Sequence, residues 1–127
     1  PRYTTVGGIP ITQLMSEDRI EAISARTAGG GGEIVKLLER GSAFYAPGSA
    51  AAIMAEAVLN DRRRVIPASC HLTGQYGLED VYIGVPCIIG ANGVEKIFEL
   101  DLSADELESL QGSANFYKGQ LKEILGY

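Results

Sequence analysis

The chain has 127 residues, of which 46% are hydrophobic and 21% charged. This composition is typical of one globular domain and excludes intrinsic disorder, because disordered chains are poorer in apolar residues. No apolar run approaches the roughly 18 residues that a transmembrane helix needs, so a membrane protein is not expected. The net charge of −5 argues against the basic surface that nucleic-acid binding requires.

The first third of the chain is predicted to be mainly helical. Residues 1–6 have the pattern of an extended segment or strand. Ser16 offers a helix N-cap, and apolar positions at helical spacing predict a helix over residues 17–28. The four glycines Gly29–Gly32 each disfavour a helix by about 1 kcal/mol relative to alanine, so a separate second helix is expected at about 33–40.

The middle of the chain changes from helix to sheet. Residues 43–59 are rich in alanine and poor in charge, which predicts a helix that is buried nearly all round. Pro47 is compatible with that helix only near its first turn or at a kink. Short connections join the next strand-like segments and favour antiparallel pairing. The predicted strands cover residues 64–72, 81–89 and 94–102.

The last segment predicts an amphipathic helix from about 104 to 125. Ser103 and Glu106 have the spacing of a capping box, and apolar residues then recur every three or four positions from Leu107 to Ile124. The whole chain is therefore predicted to be an α+β domain, with about four helices packed on a small antiparallel sheet.

The glycine run is also a candidate phosphate-binding loop. Such a loop follows a strand, whereas Gly29–Gly32 follow a predicted helix and precede the acidic Glu33. Close approach of the backbone to a neighbouring element is the better interpretation of these glycines.

His71 is the one histidine, and as a general base or metal ligand it would need a carboxylate or thiol in reach. The adjacent Cys70 would point to the opposite face of a strand, so a structural histidine is favoured. The acidic residues Asp101, Asp105 and Glu106 lie at a helix start, where acids stabilise the helix. These residues define neither a catalytic set nor a metal site.

The two cysteines, Cys70 and Cys87, are too few for a disulfide framework. Thiols in apolar segments indicate core packing in a reducing compartment, so a cytoplasmic protein is expected. The chain begins at Pro1 without an initiator methionine or a secretory signal, and we expect it to start inside a longer product.

Several stretches, in the same order and spacing, resemble the C-terminal half of the lactate/malate dehydrogenase family. The stretches are Pro1–Ile11, Arg26–Val35, Gly41–Pro47, Arg63–Pro67, Gly74–Gly77, Val81–Pro86 and Gly90–Lys96. The resemblance covers essentially the whole chain. Gly-Ser-Ala-Phe-Tyr-Ala-Pro at Gly41–Pro47 looks most like the bacterial malate dehydrogenases that are similar to lactate dehydrogenases.

The resemblance implies an NAD-dependent oxidoreductase that interconverts malate and oxaloacetate. It implies that residues 1–127 are the single C-terminal domain and that the N-terminal NAD-binding domain is not in this chain. The family's catalytic histidine and aspartate and its substrate arginines lie in that other half, so the chain alone is expected to be inactive. The resemblance also implies a nearly continuous, kinked helix from about 17 to 45.

Three positions carry over from the family to this sequence. Ser42 and Ala43 match a segment that lines the substrate pocket, and Pro47 matches a position near the nicotinamide. The implied partners are malate or oxaloacetate, the chain's own N-terminal domain and further copies in a homodimer or homotetramer. The alternatives are the C-terminal domain of a lactate dehydrogenase and a stand-alone, non-catalytic assembly module derived from the family. If the helix at 43–59 is left bare, aggregation or homo-oligomerisation is expected.

Overall fold

The computed structural model describes residues 1–126, which form one compact unit over Pro1–Ser49 and a second that begins at Ala50. The described chain has the predicted α+β character, but its α-helices number three rather than four. The elements are β1 (Thr5–Val6), β2 (Ile9–Pro10), α1 (Glu17–Leu38), α2 (Tyr45–Leu59), β3 (Arg64–Thr73), β4 (Glu79–Gly90), β5 (Gly93–Ile97) and α3 (Ala104–Leu125).

The first unit opens with a small hairpin. β1 pairs with β2 in antiparallel orientation, so the predicted N-terminal strand is confirmed over Thr5–Val6. Gly7 and Gly8 make the turn with φ of 59° and 84°, a left-handed conformation that glycine adopts at no steric cost. Ser16 occupies the predicted N-cap position of α1, although its side chain makes no capping hydrogen bond.

The α1 helix runs without interruption through the glycine run, so the split predicted from helix propensity is wrong and the continuous helix implied by the family resemblance is confirmed there. The guanidinium of Arg26 donates to both carboxylate oxygens of Glu33, at 3.2 and 2.9 Å, and this bridge spans the glycines. The helix ends at Leu38, earlier than the family resemblance implied, because Glu39 turns to a φ of 57°. A Cβ added at any residue of Gly29–Gly32 would meet nothing within 4 Å, so the predicted close approach to another element is wrong for the described residues.

The second unit is built on the antiparallel sheet β3–β4–β5, in that spatial order. In β3 and β4, alternate residues are buried, as expected for a sheet with one face on a core. The buried face carries Ala68, Cys70, Leu72, Val81, Ile83, Val85, Cys87 and Ile89.

The third predicted strand is shorter than expected and ends at Ile97 instead of 102. The hydroxyl of Tyr76 donates to the carbonyl of Phe98 and accepts from the amide of Leu100, both at 2.9 Å. Those backbone groups are therefore bound to a side chain and are not used in a strand ladder.

α3 has the predicted bounds, and its capping box is confirmed. The Ser103 side chain accepts from the Glu106 amide at 3.3 Å, and the Glu106 carboxylate accepts from the Ser103 amide at 2.9 Å. Ala114 is fully buried, whereas Tyr117 and the apolar residues after it are exposed. Only the first half of the predicted apolar stripe therefore packs within the described chain.

α2 begins at Tyr45, so Pro47 lies in its first turn, as predicted. Ala57 is its one buried residue, and the prediction of a helix buried nearly all round is wrong for the described chain. Its other apolar side chains include Leu59, which is 82% exposed. The sequence pattern indicates a covered helix, but within residues 1–126 the contact with the core is limited to the side of α2 that carries Ala57.

Candidate functional site

The three residues predicted to face substrate and cofactor lie together at the start of α2. Ser42 and Ala43 form the turn that enters the helix, and the amide of Phe44 donates to the carbonyl of Ser42 at 2.9 Å. The amide of Gly48 then donates to the carbonyl of Phe44 at 2.8 Å, which begins the helical ladder. This segment, Ser42–Pro47, is defined here as the α2 entry segment.

The α2 entry segment has small side chains beside a pair of aromatic rings. Phe44 and Tyr45 stack with ring centroids 4.8 Å apart, and their side chains are 57% and 79% exposed. Ala43 is half-buried and Ser42 is exposed. Tyr45 is the one titratable side chain in the segment. The segment can therefore shape one wall of a pocket, but it offers no acid–base pair for proton transfer.

The glycine run does not form a phosphate-binding loop. Gly29–Gly32 lie in the interior of α1, where each amide is directed at a carbonyl four residues earlier. A phosphate cradle needs free amides at a helix N-terminus or in a loop. Within the described residues, the glycine run therefore offers no free amides as a cradle for phosphates.

His71 lies on the exposed face of β3, and its neighbour Cys70 is buried on the other face, as predicted. The Nε2 atom of His71 is 3.6 Å from Oδ1 of Asp80, and its ring centroid is 5.0 Å from that of Tyr82. The Asp80 side chain is 92% exposed, so water screens the pair. Residues 1–126 contain no group of three His, Cys, Asp or Glu side chains that could hold a metal ion.

The two thiols belong to the core. Cys70 and Cys87 are both free and buried, and Sγ of Cys87 donates to the carbonyl of Ile66 at 3.4 Å. Burial raises the pKa of the Cys70 thiol to about 11. A buried, protonated thiol is a poor nucleophile, so Cys70 is not a catalytic candidate.

Each arginine of the basic run at residues 62–64 lies beside a carboxylate, and two of them share Glu56. Arg62 and Arg64 contact the two carboxylate oxygens of Glu56 at 3.2 and 3.8 Å. The Nε of Arg63 donates to Glu95 at 2.8 Å.

Sequence reasoning missed the structural role of Tyr76. Its φ is 56°, between Gly74 and Gly77, which also have positive φ. Besides the two hydroxyl contacts described above, its amide donates to Glu99 and its carbonyl accepts from Gln111, each at 2.9 Å. Tyr76 thus ties the sheet to the segment before α3 and to α3 itself. The Gly-x-x-Gly spacing was a signal of the turn, but not of these contacts.

The chain belongs to the lactate/malate dehydrogenase family, because residues 3–126 match the model of the family's alpha/beta C-terminal domain. Among curated relatives, the malate dehydrogenase of Roseiflexus sp. is 54% identical over 90% of this chain and 37% of its own length.

Among residues 1–126, no helix is long and apolar enough to cross a membrane.

Solved structures of the family have the same fold. The malate dehydrogenase of Salinibacter ruber matches with a TM-score of 0.94 and 52% identity, over 98% of this chain and 41% of that one. The lactate dehydrogenase of Eimeria maxima, solved with NADH and oxamate, matches with a TM-score of 0.93 and 45% identity, over 98% and 40%. The chain therefore spans about two fifths of the length of these relatives.

Proposed function

We propose that this chain is the C-terminal, substrate-lining domain of an NAD-dependent malate dehydrogenase. The observation that carries the proposal is the match to malate dehydrogenases over nearly the whole chain, at 52% identity to the Salinibacter ruber enzyme with a TM-score of 0.94. In this proposal both compact units belong to the one domain, and an N-terminal NAD-binding domain completes the enzyme in the cytoplasm.

Within the proposed enzyme, the α2 entry segment forms one wall of the active site. Small side chains at Ser42 and Ala43 leave room for a dicarboxylate, and Pro47 packs beside the nicotinamide. NAD would supply the hydride acceptor, and the N-terminal domain would supply the acid–base pair and the cationic groups that bind carboxylates. The α2 entry segment itself carries no acid–base pair and no cationic group, which favours a role in shaping the pocket over a role in the chemical step.

The exposed apolar side chains of α2 favour the presence of a partner surface that covers them. Met54, Val58 and Leu59 are 38%, 36% and 82% exposed, a combination that isolated domains rarely leave in water. We propose that the N-terminal domain and further subunits, in a homodimer or homotetramer, cover these residues.

The test is an assay of oxaloacetate reduction by NADH, with the complete gene product that contains this chain and with residues 1–127 alone. The complete product is expected to reduce oxaloacetate, and the chain alone is expected to give no turnover above the uncatalysed rate. Turnover by the 127-residue chain would contradict the proposal that the catalytic groups lie in the N-terminal domain. A complete product that is inactive and binds no NADH would favour the non-catalytic assembly module.

Lactate dehydrogenase is the second candidate function. The 45% identity and TM-score of 0.93 to the Eimeria maxima enzyme favour it, because the two activities share this domain fold. The same assay separates them: faster reduction of pyruvate than of oxaloacetate by the complete product would replace the malate dehydrogenase proposal with this one.

A further inference from the structure

The turn between β4 and β5 contains the dipeptide Asn92–Gly93. Ala91 and Asn92 join the two strands and are both exposed, and Gly90 pairs with Gly93 across the hairpin. Gly93 has a φ of 81°, a left-handed conformation that glycine adopts at no steric cost. The turn therefore requires a residue without a side chain directly after an exposed asparagine.

An exposed asparagine that precedes a glycine can react with its own backbone. The amide nitrogen of Gly93 is the nucleophile and Cγ of Asn92 is the electrophile, and a side chain on the second residue would hinder their approach. Gly93 has no side chain, and a Cβ added there would meet nothing within 4 Å apart from its chain neighbours. The space beside the attacking nitrogen is therefore open.

We propose that Asn92 is a site of spontaneous deamidation. The Gly93 nitrogen forms a bond with Cγ of Asn92 as the bond between Cγ and Nδ2 breaks, and the proton of the Gly93 amide leaves with the side-chain nitrogen as ammonia. Water then opens the cyclic succinimide at either carbonyl, which gives aspartate or isoaspartate. Both products carry a new negative charge, and isoaspartate also adds a carbon to the main chain. The proposal does not depend on the catalytic activity proposed above.

The new charge arises beside two carboxylates that hold the turn to the rest of the second unit. Oδ1 of Asp61 accepts from the amide of Ala91 at 2.9 Å, and Glu95 accepts from Nε of Arg63 at 2.8 Å. Asp61 and Arg63 lie in the connection between α2 and β3. These two contacts therefore join that connection to the β4–β5 hairpin.

The two carboxylates approach the same point of the hairpin backbone. A Cβ added at Gly90 would lie 2.8 Å from Oδ1 of Asp61 and 2.5 Å from Oε1 of Glu95. Like charges repel more strongly at short separation, so a further carboxylate in place of the Asn92 amide is expected to weaken the contact between Asp61 and the Ala91 amide. Deamidation would thus loosen the link between the turn and the α2–β3 connection.

The chain provides its own controls for the reaction. Asn60 is followed by Asp61 and Asn115 by Phe116, whose side chains hinder the attack. The complete gene product that contains this chain is incubated at mildly alkaline pH, which helps the attacking nitrogen to lose its proton, and its peptides are analysed by chromatography and mass spectrometry. The Asn92 peptide is expected to convert to aspartate and isoaspartate forms before the peptides of Asn60 and Asn115. Conversion at Asn92 that is no faster than at the other two would overturn the proposal.

A second experiment tests the effect of the new charge on the turn. Asn92→Asp introduces the charge of the product, and Asn92→Ser is the neutral control, which has no side-chain amide to lose. Hydrogen–deuterium exchange of the Ala91 amide is expected to be faster in Asn92→Asp than in Asn92→Ser, because the contact with Asp61 is weaker. The difference should shrink at high salt, which screens the charges. Equal exchange in the two variants would overturn the proposed loosening of the turn.

Discussion

The two compact units of the chain differ in how much they bury. Among the residues of Pro1–Ser49, Ile20 is the one buried apolar side chain. In the unit that begins at Ala50, one face of β3 and β4 forms a core that includes Leu72, Val81 and Cys87, each at 2% exposure or less. Apolar burial is the main favourable contribution to folding, so we expect the second unit to be the more stable of the two when each is considered by itself.

The largest expected difference in the free energy of unfolding is between the loss of a core leucine and the loss of an exposed one. Leu72→Ala removes a side chain that is 0% exposed and is expected to lower the free energy of unfolding by about 3 kcal/mol. Leu37→Ala removes one that is 77% exposed and is expected to change it by less than about 0.5 kcal/mol. Urea unfolding of dilute protein, followed by circular dichroism, measures both. Equal losses would contradict the contrast between the two units.

The buried thiol makes the stability of the second unit fall at alkaline pH. The pKa of Cys70 is raised by burial from 9.0 to about 11. Above pH 9.0 the unfolded chain loses the proton first, so stability falls until the pH passes about 11, by about 2 to 3 kcal/mol. Urea unfolding across this range should show a smaller fall for Cys70→Ala. An identical fall in the two proteins would show that the thiol does not titrate as described.

The contacts of the Tyr76 hydroxyl are expected to contribute less than the core leucine. Tyr76→Phe leaves the carbonyl of Phe98 and the amide of Leu100 without this partner, which should cost about 1 to 3 kcal/mol. Tyr82→Phe is the matched control, because that side chain is 65% exposed. The urea midpoint should fall for the first variant and stay constant for the second; the opposite order would contradict the assigned role of Tyr76.

The smallest expected effect concerns the start of α3. Ser103→Ala removes the hydroxyl that accepts from the Glu106 amide and is expected to cost about 1 kcal/mol. Ser109→Ala, an exposed change inside the same helix, should cost nothing, because alanine is the better helix former. A comparison of their thermal unfolding midpoints checks this, and similar midpoints would mean that the cap contributes no measurable stability.

Local patterns predicted the second unit well. The capping box and the apolar spacing gave the bounds of α3, and short connections gave the antiparallel order of β3, β4 and β5. The third strand was predicted too long because the contacts between Tyr76 and the segment after Ile97 join residues far apart in sequence. Local periodicity contains no information about such contacts.

The first unit was harder to predict, and for a different reason. Helix propensity favoured a break at Gly29–Gly32, but α1 continues through them, with the Arg26–Glu33 bridge across the run. The apolar composition of α2 predicted burial, and within residues 1–126 that burial is absent. Helix propensity and apolar composition are properties of single segments, and neither specifies the contacts that a segment makes. The candidate site residues Ser42, Ala43 and Pro47 came from the family resemblance alone, and their contact with substrate or cofactor remains a prediction.

Hydrogen–deuterium exchange of the 127-residue chain, at a concentration where it is monomeric, tests the contrast between the units most directly. The amides of β3 and β4 are expected to be strongly protected, because they open only with the whole core, while those of α1 exchange quickly by local opening. Equal protection of α1 and β4 in the monomer would contradict the account, because it would show that the first unit is stable without a partner.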